Sequence, residues 1–116
     1  MRILQNSPQS LLPDYLSEVQ KIYGLHLRKV ILYGSYARGD YTQDSDVDIM
    51  ILVDLSDEES EQYSDALSQL GFDYNVKYDI WIEPIVKNAE HFRYWVAAYP
   101  FYSNVQKEGM ILYDAA

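Results

Sequence analysis

The chain has 116 residues, 48% hydrophobic and 23% charged, with 9 basic against 18 acidic side chains and a formal charge of −9. This is the composition of a soluble globular chain, and no apolar run approaches the roughly 18 residues of a membrane span. The acidic balance argues against a standing nucleic-acid partner, because phosphate backbones are bound by basic surfaces. The chain lacks cysteine, so disulfides and thiolate ligands are excluded, and its two histidines, His26 and His91, lie too far apart for a histidine metal motif. Any catalytic metal is then held by carboxylates, which favours magnesium or manganese. One domain over residues 1–116 is expected. With no basic-then-apolar leader, a cytoplasmic location is the default.

Leu12, Tyr15, Leu16, Val19 and Ile22 recur at helical spacing and predict a helix over Ser10–Tyr23, stopped by Gly24. Leu27–Tyr33 is rich in β-branched and aromatic residues and ends at Gly34, as a strand entering a turn does. Asp46–Val53 is apolar except at Asp46 and Asp48, which predicts a buried strand with two carboxylates at one end. Ser56 and Glu59 form a capping box for a second helix that carries Tyr63, Ala66, Leu67 and Leu70 and ends at Gly71. Tyr78–Val86 alternates as a third strand, with Asp79, Trp81 and Glu83 on the face opposite Tyr78, Ile80 and Ile82. Asn88–Tyr99 reads as helix, Pro100 interrupts it, a short helical piece continues to Glu108, and Met110–Tyr113 is a last strand. This order predicts an α/β (α+β) layer with a small mixed sheet and helices packed on one face.

Chemistry concentrates between residues 34 and 48. Gly34 and Ser35 close a buried strand. A glycine there lets the backbone approach a phosphate, and the serine adds a hydroxyl donor. Asp46 and Asp48 are two apart on a predicted strand, so both point to one face, roughly 7 Å apart. Like charges so close repel unless a cation lies between them, and oxygen-only ligands suit magnesium with a substrate phosphate in its shell. Asp79 on the next predicted strand supplies a third carboxylate, as a two-metal centre requires, although Glu83 shares its face and could fill the same place. Arg38 either touches a triphosphate or pairs with Asp40 or Asp44 in solvent. The late aromatic cluster Tyr94, Trp95, Tyr99, Phe101 and Tyr102 reads first as core.

Gly34-Ser35, ten residues, then Asp46-x-Asp48, with Arg38, Gly39 and Ser45 between, resembles the signature of the DNA polymerase beta type nucleotidyltransferase superfamily. The short chain resembles its minimal nucleotidyltransferase (MNT) branch, and the ending Lys107–Tyr113 is similar to the close of such proteins. The resemblance implies a polymerase-beta-like core in which Asp46 and Asp48 bind two magnesium ions. It also implies that Gly34 and Ser35 hold the triphosphate of ATP, and that Asp79 completes the metal site and receives the proton of an attacking hydroxyl. For the branch it further implies an antitoxin that transfers AMP to a hydroxyl of a HEPN ribonuclease toxin. Two alternatives stay open: a non-catalytic antitoxin that acts by occlusion, and transfer to a small-molecule hydroxyl. Neither a nucleic acid nor a membrane is expected as partner, and a homo-oligomer is left open.

Overall fold

An apolar run that is buried on both sides organises the molecule. In the computed structural model, which describes residues 8–115, strands β1 (Leu27–Tyr33) and β2 (Val47–Val53) form the centre of a four-stranded sheet. Strand β3 (Ile82–Asn88) flanks β2 and strand β4 (Met110–Asp114) flanks β1. β1 is antiparallel to both β2 and β4, whereas β2 and β3 run parallel. The sheet is therefore mixed, and with its helices the chain has the expected α+β class.

The helices are α1 (Pro8–Tyr23), the single turn α2 (Ser35–Arg38), α3 (Asp57–Ser60), α4 (Ser64–Tyr78), α5 (Ala89–Trp95) and α6 (Pro100–Glu108). Side chains on a strand alternate between faces. Val47, Ile49, Ile51 and Val53 of β2 accordingly pack with Leu12, Tyr15 and Val19 of α1 and with Leu67 and Tyr74 of α4. Met50 and Leu52 point the other way, onto Phe92 of α5 and Tyr102 and Val105 of α6. Helices thus cover both faces, correcting the expectation that they pack on one. The reason lies in β2 itself, where consecutive apolar residues leave no face for water; Ile49, Met50 and Ile51 are fully buried.

The second helix departs further from the expected boundaries. Its capping box forms as predicted: Ser56 Oγ accepts from the Glu59 amide at 3.1 Å, and Glu59 Oε1 accepts from the Ser56 amide at 2.9 Å. A 3-10 turn, Glu61–Tyr63, then separates α3 from α4. Gly71 does not end the helix, because burial of Tyr74 against the core and the hydrogen bond from its hydroxyl to Asp14 of α1 hold another turn in place. Helix α4 stops at Asp79, which adopts left-handed φ 57° and whose amide donates to the Asn75 carbonyl at 2.9 Å. The third strand consequently starts at Ile82 rather than Tyr78.

The expected helix Asn88–Tyr99 is shorter. The Asn88 side chain accepts from the His91 amide at 2.9 Å and caps α5. That helix ends at Trp95, and Pro100 opens α6 at the position where a missing amide costs least. Strand β4 extends one residue beyond the predicted Met110–Tyr113. Among the described residues no helix is long and apolar enough to cross a membrane.

Candidate active site

The strand register places three acidic residues at one end of the sheet. Asp48 is the second residue of β2 and lies opposite Tyr33 of β1 and beside Glu83 of β3. Because Asp48 and Glu83 alternate with Val47 and Ile82, which face α1 and α4, both carboxylates stand on the α5–α6 side. Asp46 sits just before β2, where the Val47 amide donates to the Trp81 carbonyl at 2.8 Å and brings the entry of β3 alongside. Burial holds the carboxyl of Asp48 above the usual carboxylate range, and the charges of Asp46 and Glu83 push it further, with Arg38 opposing them. Those two acids act on it; Asp79 is not among the charges that do.

Asp79, expected on the third strand, instead forms the exposed C-cap of α4. Its strand assignment is corrected, and the register puts Glu83 in the place foreseen for it. The sequence offered both residues. The length of α4 takes Asp79 off the strand and leaves Glu83 beside Asp48.

Gly34 shows why a glycine must stand before the serine. Its φ is +75°, a left-handed conformation that a side chain disfavours, and an added Cβ would come within 2.3 Å of Asp48 Oδ2. Two separate constraints, backbone and space, therefore fix this residue against the carboxylate. Ser35 follows as the first residue of α2, whose single turn closes through Arg38 N to Gly34 O at 3.0 Å and Gly39 N to Ser35 O at 2.9 Å. Gly39 ends the turn at φ 87°.

Arg38 donates to Asp40 Oδ2 at 3.2 Å, as the sequence allowed, and to Glu108 Oε1 at 3.1 Å, which it did not suggest. The second contact ties the loop after β1 to the end of α6. No local pattern signals a pair 70 residues apart. Tyr33 is a further missed member: its phenol is pushed up to about 12 by burial, then by Asp48 and Glu83, and its ring meets Phe101 of α6 edge-on at 5.6 Å between centroids.

Among the described residues no three histidine or carboxylate side chains converge as a ready metal-ligand set. The donor chemistry nonetheless suits a hard divalent cation. All the donors are oxygen, and Asp48 is destabilised in its ionised form first by burial and then by two neighbouring acids, whose charge a cation would neutralise. A groove of about 650 Å³ opens along α4 and β3 and reaches Glu83, bordered by Phe72 and Trp81.

Comparison with known proteins gives a consistent result. Residues 12–110 match the nucleotidyltransferase domain family. A relative from Methanocaldococcus jannaschii, named a putative protein adenylyltransferase, is 33% identical over 105 residues, covering 90% of this chain and 97% of its own. A second from the same organism, also named a putative protein adenylyltransferase, is 38% identical over 76 residues, covering 66% of this chain and 75% of its own. The fold resembles a chain in the crystal structure of a toxin-antitoxin with AMP-PNP, with a TM-score of 0.54 at 17% identity, covering 88% of this chain and 73% of that one. It also resembles a chain of a toxin-antitoxin MntA-HpeT mutant, with a TM-score of 0.51 at 15% identity and the same coverage. On its sequence match, and with the Gly34-Ser35 turn closed against Asp48, this chain belongs to the nucleotidyltransferase domain family.

Proposed function

We propose that the chain transfers AMP from ATP to a hydroxyl of a partner protein, with Asp46, Asp48 and Glu83 as its carboxylates. The observation that supports this most directly is the meeting of Gly34, Asp48 and Glu83 at one sheet end. Asp46, Asp48 and Glu83 would hold magnesium, two ions in the two-metal arrangement. Bound there, the metal supplies charge neutralisation for the triphosphate and for the pyrophosphate that leaves.

The protein's own groups have distinct tasks. Gly34 and Ser35 bind the β- and γ-phosphates through backbone approach and the Ser35 hydroxyl. Glu83, on an edge strand beside the groove, takes the proton of the acceptor hydroxyl. The acceptor oxygen then forms a bond to the α-phosphorus, the bond from that phosphorus to the bridging oxygen breaks, and pyrophosphate departs with its electron pair. AMP remains on the acceptor. In the names of its relatives the acceptor is a protein, and two structures of similar fold come from toxin-antitoxin pairs. We therefore assign the partner as a toxin, of the HEPN class that the sequence resemblance implied, and the chain as its antitoxin.

Incubation of the chain and its partner with labelled ATP and magnesium tests this. Label is expected on the partner, and it is expected to vanish in Asp46→Ala and Asp48→Ala. Partner binding without label in any protein would replace transfer with occlusion.

A further inference from the structure

Large aromatic rings left in water at the mouth of a site need an occupant or an explanation. At the junction of α5 and α6, Phe101 is 43% exposed, Tyr99 42% and Tyr94 77%. Phe101 meets Tyr33, and Tyr33 lies opposite Asp48 in the β1–β2 register, so one ring separates Phe101 from the carboxylates. Trp95 and Tyr99 stack with centroids 5.1 Å apart and planes 9° from parallel. Tyr99 and Phe101 both rest on buried Tyr102, at 5.5 and 6.2 Å, and His91 Nδ1 lies 3.0 Å from its hydroxyl. The corner is thus braced from beneath, and its outer faces are set before any ligand arrives.

Building on the transferase reading, we propose that this corner, Phe101 foremost with Tyr99 and Trp95 behind it, is the wall on which the base of the nucleotide stacks. A triphosphate held between Ser35 and Asp48 extends its ribose and base past the α-phosphate. The α5–α6 side is the face on which Asp48 and Glu83 stand. The groove beside Phe72 and Trp81 opens from the outer edge of β3 and is left to the acceptor. Every base has a π-face, and one such stack changes affinity by about 5- to 100-fold.

The test is titration calorimetry with ATP and with inorganic tripolyphosphate, each with magnesium, on the native chain and on Phe101→Ala, Phe101→Leu and Phe101→Tyr. Alanine and leucine are expected to weaken ATP by about 5- to 100-fold and leave tripolyphosphate unchanged, and tyrosine to restore ATP binding. In a Trp81→Phe background Trp95 is the sole tryptophan, and its emission is expected to fall with ATP but not with tripolyphosphate. Equal ATP affinity in all four proteins would overturn the stacking wall. Equal loss of both ligands would also overturn it, because Phe101 would then act through the triphosphate site. A native chain that binds neither ligand would remove the transferase reading, and the stacking wall with it.

Discussion

Gly34 and Asp48 are a coupled pair, and each constrains what the other can be. Gly34→Ala puts a side chain at φ +75° and a methyl carbon where the Asp48 carboxylate now stands, 2.3 Å from Oδ2, so that carboxylate has to move. The variant should lose more than about 1 kcal/mol of stability through the strained backbone and nearly all transfer activity. Chemical denaturation together with the label assay measures both. Asp48 is raised above its unfolded value by burial, Asp46 and Glu83. A carboxyl raised on folding favours the fold while it is protonated, below its unfolded pKa, and loses that contribution as the pH rises through its folded pKa. At neutral pH without metal, ionised Asp48 is therefore a cost to the fold. Asp48→Asn should raise the melting temperature at pH 7 in chelator, and the gain should shrink as the pH drops into the carboxylate range. A gain that grows toward acid would contradict the assigned cause.

At the scale of elements, the capping box at Ser56 and the left-handed stop at Asp79 delimit the α3–α4 region. Ser56→Ala removes the acceptor for the Glu59 amide and should cost about 1 kcal/mol. Asp79→Gly relieves a side chain at φ 57° and should gain a few tenths to about 1 kcal/mol. Urea denaturation separates the two signs.

These same elements mark what the sequence could tell. Strand β1 matched its predicted bounds and β2 came within a residue, because short apolar runs with β-branched residues, closed by Gly34 or bounded by Asp46, read as strands. The end of α4 did not, because Gly71 is a legitimate stop locally and only Tyr74, buried against α1, overrides it. With α4 running on to Tyr78, Asp79 falls on its C-cap instead of the predicted strand, and Glu83 is the acid that β3 sets beside Asp48. Gly34, Ser35, Asp46 and Asp48 were legible because their spacing is local. The tie from Arg38 to Glu108 and the contact of Tyr33 with Phe101 were not, since each joins segments that only the fold brings together.

For the whole molecule, a sheet covered on both faces leaves its ends as the places for chemistry. Loops and strand ends there carry function on a rigid support. One end gathers Gly34, Asp46, Asp48 and Glu83, the groove along β3 reaches it at Glu83, and Phe101 of α6 meets it through Tyr33. The net charge of −9 bears on the toxin proposed as partner: attraction between opposite charges speeds encounter and is screened by salt, so association with a basic toxin is expected to slow as salt rises.

The central claim is that Glu83 rather than Asp79 completes the carboxylate set. Transfer of labelled AMP by Glu83→Gln and Asp79→Asn, side by side, tests it most directly, because asparagine tolerates the left-handed cap and glutamine keeps the shape at position 83. The arrangement predicts a loss of about 10²- to 10⁴-fold for Glu83→Gln and near-native transfer for Asp79→Asn. The reverse order, with Asp79→Asn inactive and Glu83→Gln active, would contradict it.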